Sequence, residues 1–124
     1  MKKLKLPATR EGEIRVEIKI STLCSWFFRY YFEKDNFYEG ISEEEKDHVI
    51  ILGKIRELRE IENDFNMVLT NSAEERQNYI VSISWRHYIN GELFSTLDKA
   101  RYSGELDPHE SREIKLHVFI EKRV

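Results

Sequence analysis

The alternation of an apolar side and a mostly polar side in the stretch from Asn78 to Glu92 constrains the fold of this chain most strongly. The apolar members share one side at a period of two residues; they are Tyr79, Val81, Ile83 and Trp85. This pattern is typical of a β-strand with one buried and one exposed face. The Asn90-Gly91 dipeptide that follows favours a tight hairpin, because both turn residues tolerate positive φ. The stretch therefore predicts a central antiparallel strand, flanked by its neighbours in sequence.

Other stretches predict strands by the same pattern. They are residues 13–20, 24–32, 65–70, 92–97 and 114–120. Turn-forming residues separate them at Asn63-Asp64, Ser103-Gly104 and 107–109. The count is about seven short strands, which is the sequence pattern of a mainly antiparallel β-sandwich of two sheets.

Residues 42–60 carry signals for both secondary structures. Ser42 and Glu45 have the spacing of a capping box, and Ile51, Ile55 and Leu58 recur at helical spacing. The β-branched run at 49–51, with Gly53 after it, favours strands instead. We therefore expect strands at 48–52 and 54–61, and keep open one short helix near 42–60.

The length of 124 residues suits a single domain. Residues 1–11 are polar and predict a flexible N-terminal arm, which leaves 12–124 as the β-sandwich domain. The net charge of −3 disfavours nucleic acid as a partner. The single cysteine, Cys24, excludes an intrachain disulfide, and no apolar run is long enough for a signal peptide or a membrane span. A cytoplasmic location follows as the expectation.

The second half of the chain resembles the later strands of immunoglobulin-like sandwich domains. The resemblance lies in residues 63–71, which form an alternating strand ending in asparagine, in 79–83, and in 104–111, where Leu106-Asp107-Pro108 leads into the last strand. The paired cysteines of antibody-type domains are absent, so the resemblance is to the broad architectural class. It implies a scaffold and no particular activity.

No pattern of residues points to catalysis. The four histidines lack metal-binding spacing, no Gly-x-Ser-x-Gly occurs, and no glycine-rich loop is present. A ligand pocket that used His87 and His117 together would require both imidazoles in one cleft. The sequence therefore predicts a non-enzymatic protein without a metal or a cofactor.

Residues 24–38 contain eight of the fifteen aromatic residues. The even-numbered residues of this predicted strand suit the core, whereas Phe27, Arg29 and Tyr31 fall on the other face. Exposed aromatic residues beside an arginine are typical of protein interfaces. We expect a binding surface made of an edge strand and an exposed aromatic group, comprising Phe27, Arg29, Tyr31, Phe37 and Tyr38. Its partner would be another protein or a second copy of the chain.

The same aromatic residues suit an alternative function, the stacking of single-stranded nucleic acid. Residues 12–90 would then form an OB-like five-stranded barrel, with a helix between its third and fourth strands. The acidic balance of the chain makes this alternative the weaker of the two.

Overall fold

The structure, a computed structural model, describes residues 2–33, 36–42 and 47–121. This part of the chain forms nine strands and contains no helix. The strands are β1 (Lys2–Lys5), β2 (Glu13–Thr22), β3 (Ser25–Glu33), β4 (Asn36–Ile41), β5 (Asp47–Lys54), β6 (Ile61–Thr70), β7 (Gln77–Ile89), β8 (Glu92–Leu106) and β9 (Ser111–Glu121). It follows that no long apolar helix able to cross a membrane occurs among these residues.

The strands form two sheets. Sheet A has the order β1-β9-β6-β3-β4, and sheet B has the order β5-β2-β7-β8. All neighbouring strands are antiparallel except β1 and β9, which are parallel. The predicted mainly β, two-sheet and mostly antiparallel architecture is thus confirmed. The alternative of a five-stranded barrel with an internal helix is wrong, because two separate sheets form and the described residues include no helix.

One hydrophobic core lies between the sheets. Trp26, Phe28 and Tyr30 of β3 are buried there, as the alternation predicted. Phe32, on the same face, is half-buried. Sheet B contributes Val81, Ile83 and Trp85 from β7. The Trp85 Nε1–H donates a hydrogen bond of 2.9 Å to the Tyr30 hydroxyl, so a polar contact joins the sheets inside the core.

The β7–β8 hairpin forms where the sequence predicted it. Asn90 and Gly91 have φ values of 52° and 78°, which fits the turn that Asn-Gly favours. The strand β8 continues to Leu106, so the predicted turn at Ser103-Gly104 is wrong. Gly104 lies opposite Tyr79, and a Cβ atom there would come within 2.8 Å of the Tyr79 hydroxyl. The glycine therefore makes room for a ring and does not end the strand.

Three other expectations between residues 42 and 64 need correction. Residues 48–52 form part of β5 as predicted, but 54–61 is not a strand, because the chain turns after Lys54. The Leu58 N–H donates to the Lys54 carbonyl, and this single turn brings Ile55 and Leu58 into the core. The helical spacing of Ile55 and Leu58 thus reflects a single turn and not a helix. Residues 43–46, which the predicted helix near 42–60 also included, lie outside the described part of the chain. The predicted Asn63-Asp64 turn is wrong, since both residues lie within β6.

Three further findings differ from the sequence-based expectations. Lys2–Lys5 form β1 beside β9, where the sequence indicated an arm, and Leu4 and Leu6 are buried. The neighbours of β7 are β8 and β2, so only one of them is adjacent in sequence. The described residues form nine strands, where about seven were expected.

Both sheets end in an edge strand on the same side of the molecule, namely β4 in sheet A and β5 in sheet B. The Tyr38 hydroxyl and His48 Nδ1 are hydrogen-bonded at 2.9 Å and link these two strands. The two strands are consecutive in the chain, and their outer faces belong to opposite sheets.

Candidate protein-binding site

The outer face of sheet A carries a group of exposed apolar side chains on β3, β4 and β6. We call it the β3–β4 patch; it consists of Phe27, Arg29, Tyr31, Phe37, Ile41 and Val68. The registers of the strands produce it, because Phe27 lies between Ile41 and Val68, and Tyr31 lies opposite Phe37. Phe37 is 48% exposed and Val68 42% exposed, so the group faces solvent at both ends.

Arg29 occupies the centre of the β3–β4 patch. Its guanidinium carbon lies 5.4 Å from the ring centre of Phe27 and 5.3 Å from that of Phe37, within the range of cation–π contacts. Its Nε lies 2.5 Å from the Glu39 carboxylate, and its Nη1 donates to the Tyr31 hydroxyl at 3.4 Å. The bond to Tyr31, followed by the contacts with Glu39, raises the pKa of Arg29 above its ordinary value. The arginine is thus charged and held between two rings.

A polar border follows the patch towards β9. Asp64 lies opposite both Tyr31 and His117 in the strand registers, and the carboxylate of Asp64 is hydrogen-bonded to His117 Nδ1. A shallow depression of about 340 Å³ lies beside Phe27 and Arg29, and Asn66 and Lys115 are among the residues that line it. An apolar centre with a polar border is the usual anatomy of a protein interface.

Four of the five predicted site residues lie together on this face. They are Phe27, Arg29, Tyr31 and Phe37. The fifth, Tyr38, points inwards, stacks on Phe28 with 6.0 Å between ring centres and is half-buried. Consecutive residues of a strand point to opposite faces, so Phe37 and Tyr38 belong to different surfaces.

Ile41 and Val68 were not among the predicted site residues. Both continue alternations that begin at residues already considered. Ile41 follows Phe37 at a spacing of four on the same strand. Val68 falls on the otherwise polar side of an alternating strand. Their place beside Phe27 depends on the pairing of three strands, which the alternation of each strand alone does not reveal.

The two histidines that an enzymatic pocket would need are far apart in the fold. His87 is buried in sheet B, where its Nε2 donates to the Glu11 carbonyl at 2.7 Å. His117 lies on the outer face of sheet A beside Asp64. The two imidazoles share no cleft. Among the residues with described positions, no three metal-ligating side chains come together.

No protein-family model, curated protein or solved structure matches this chain.

Proposed function

We propose that the chain is a non-enzymatic protein-binding module, which binds its partner through the β3–β4 patch and the adjacent edge of β4. The observation that carries this proposal is a group of exposed apolar side chains around Arg29, whose guanidinium lies between two aromatic rings. The exposed side chains are Phe27, Phe37, Ile41 and Val68. Aromatic and arginine side chains supply a disproportionate share of binding energy at interfaces. Because Phe37 and Ile41 lie on an edge strand, an added strand would hydrogen-bond to β4 and cover their side chains.

Site-specific photo-crosslinking tests this proposal. A photoreactive phenylalanine analogue replaces Phe27 or, as a matched control, Ile80, which is 37% exposed on the outer face of sheet B. We expect a cross-linked protein from position 27 and none from position 80. The affinity of the purified partner is then measured with wild type, Phe37→Ser and Ile80→Ser.

Loss of the Phe37 ring should cost about 2 kcal/mol or more of binding free energy, roughly a thirtyfold loss of affinity. Ile80→Ser should bind as wild type does. Equal affinities for Phe37→Ser and Ile80→Ser would contradict the proposal, since the patch would then contribute nothing to the complex.

A second copy of the chain is the simplest partner to test. Size-exclusion chromatography with light scattering compares the wild type with Tyr31→Ala. Self-binding through the patch predicts a dimer that Tyr31→Ala disrupts, and a monomeric wild type ends that form of the proposal. The proposal then requires a different protein as the partner.

We infer two further properties that accompany this function. The free and buried Cys24 supports a reducing, cytoplasmic location. The two mostly antiparallel sheets support a scaffold of the β-sandwich class, and its assignment as immunoglobulin-like stays a prediction. Such a scaffold would present the patch without itself taking part in chemistry.

A further inference from the structure

The edge strands β1, β8 and β5 differ in how well they resist pairing with another chain. The edge β1 has four residues, three of which are lysines. The edge β8 carries two irregularities in its register and charged residues such as Lys99 and Arg101. Short strands, bulges and charged side chains are the usual protections of a sheet edge. These two edges are therefore protected.

The edge β5 lacks most of these protections. Residues 48–52 contain no acidic, lysine or arginine side chain. Val49 and Ile51 point outwards and are 52% and 58% exposed, while Ile50 and Leu52 face the core. The pairing with β2 is regular from Asp47 to Ile51, and the bulge begins only beyond that point. An exposed, regular and apolar edge is a template for strand addition.

We propose that β5 pairs antiparallel with the β5 strand of a second copy, joining the two B sheets into one continuous sheet of eight strands. The outward side chains select the register. With Ile50 opposite Ile50 of the second copy, Val49 lies opposite Ile51 on both sides of the two-fold axis. Pairs of β-branched residues opposite one another stabilise antiparallel strands.

The alternative registers are poorer. Centring the pair on Val49 places the Asp47 carboxylate opposite the apolar Ile51 of the second copy. Centring it on Ile51 places Val49 opposite Gly53, beyond the bulge. Opposite residues of antiparallel strands must share a face, so registers centred between residues are excluded.

The charges around β5 are compatible with the register centred on Ile50. On β2, Glu17 lies beside Val49 and Arg15 lies beside Ile51. Each row across the joined sheet therefore starts at Glu17 of one copy and ends at Arg15 of the other. At the ends of the shared edge, Asp47 of one copy comes near Lys54 of the other. Asp47 and Lys54 thus bring opposite charges near each other, whereas Glu17 and Arg15 stay about 14 Å apart, because two strands separate them.

The mass of the protein in solution tests the proposal. Light scattering over a concentration series should show wild type moving from monomer to dimer. Val49→Lys and Ile51→Lys should each remove the dimer, because a lysine in the edge opposes an apolar residue of the second copy. Ile80→Lys is the matched control, an outward isoleucine in the interior of the same sheet, and should dimerise as wild type does. Circular dichroism confirms that each variant is folded.

Disulfide trapping tests the register. Opposite residues of antiparallel strands have Cα atoms about 5 Å apart, which a disulfide spans, whereas Val49 and its own copy lie roughly 8 Å apart. A mixture of Val49→Cys and Ile51→Cys should thus cross-link faster than either variant alone. A monomeric wild type at every concentration, or Val49→Lys dimers as stable as wild type, would overturn the proposal. So would equal cross-linking of the mixture and the single variants.

This inference does not rest on the proposed function. The edge β5 belongs to sheet B, and its outward side chains face away from the β3–β4 patch. A dimer lost in Tyr31→Ala but kept in Val49→Lys would overturn pairing through β5 and support the patch. The opposite result supports pairing through β5 and leaves binding of another protein to be measured separately.

Discussion

Replacing Tyr30 by phenylalanine should destabilise the fold, because it removes the hydrogen bond that joins the sheets. Tyr30 and Trp85 are both fully buried, and the Trp85 Nε1–H lies 2.9 Å from the Tyr30 hydroxyl. Among the described residues, the Tyr30 hydroxyl is the hydrogen-bond acceptor for the indole N–H of Trp85. Without it, a buried donor is left unsatisfied, which costs about 1–3 kcal/mol of unfolding free energy at neutral pH.

The same hydroxyl predicts how this loss depends on pH. Burial raises the pKa of Tyr30 far above its ordinary value. The raised pKa means that the folded state keeps the proton while the unfolded state releases it above pH 10. The stability contributed by the protonated hydroxyl is thus complete below pH 10 and falls as the pH rises. At pH 11 the wild type should have lost about 1.4 kcal/mol through this group, and Tyr30→Phe none.

Urea denaturation at pH 7 and pH 11 measures both effects. The difference in unfolding free energy between wild type and Tyr30→Phe should shrink by about 1.4 kcal/mol between the two pH values. Tyr102→Phe is the control for removing a phenolic hydroxyl, because Tyr102 is a half-buried tyrosine of β8. It should change the free energy of unfolding by less than about 0.5 kcal/mol at pH 7. A Tyr30→Phe variant as stable as wild type at pH 7 would refute the proposed role of the hydroxyl.

Two other variants test how residues position the strands. Gly40→Ala should cost about 1–3 kcal/mol, because its Cβ would lie 2.4 Å from Phe28 Cε1, whereas Gly91→Ala meets open space and should cost about 1 kcal/mol through its φ of +78°. Thermal denaturation compares them, and a smaller loss for Gly40→Ala would contradict this packing. Asn71→Ala should cost about 1–3 kcal/mol in urea, since its Nδ2 donates to the carbonyls of Glu75 and Leu106. The exposed Asn78→Ala is its control, and equal losses would argue against the buried contacts.

The alternation of side chains predicted most of the strands because it reflects a local property of the chain. A residue points to the core or to solvent according to its parity, so β2, β3, β7 and β9 were identifiable one at a time. Turn signals were less reliable. Asn90-Gly91 turns because both residues must adopt positive φ, whereas Gly104 stays in a strand to leave space for Tyr79. The same residue type serves both needs, and only the opposing strand distinguishes them.

The order of the strands could not be predicted in this way. The pairing of β2 with both β5 and β7 joins residues far apart in sequence, and no local pattern specifies such contacts. The candidate site shows the same limit. Parity placed Phe27, Arg29 and Tyr31 on one face and would have excluded Tyr38. Val68 could be assigned to the site only from the register between β3 and β6, which places it opposite Phe27.

Pairing through β5 would also determine how the β3–β4 patch is presented. Two antiparallel strands in one sheet are related by a two-fold axis perpendicular to that sheet. Such an axis keeps the outer faces of both B sheets on one side of the dimer, so both copies of sheet A lie on the other side. The two patches then face the same direction. A partner with two matching sites would bind both at once, and its apparent affinity would exceed that of either patch alone. Val49→Lys would therefore weaken binding of a bivalent partner, because it separates the two copies without altering the side chains of either patch.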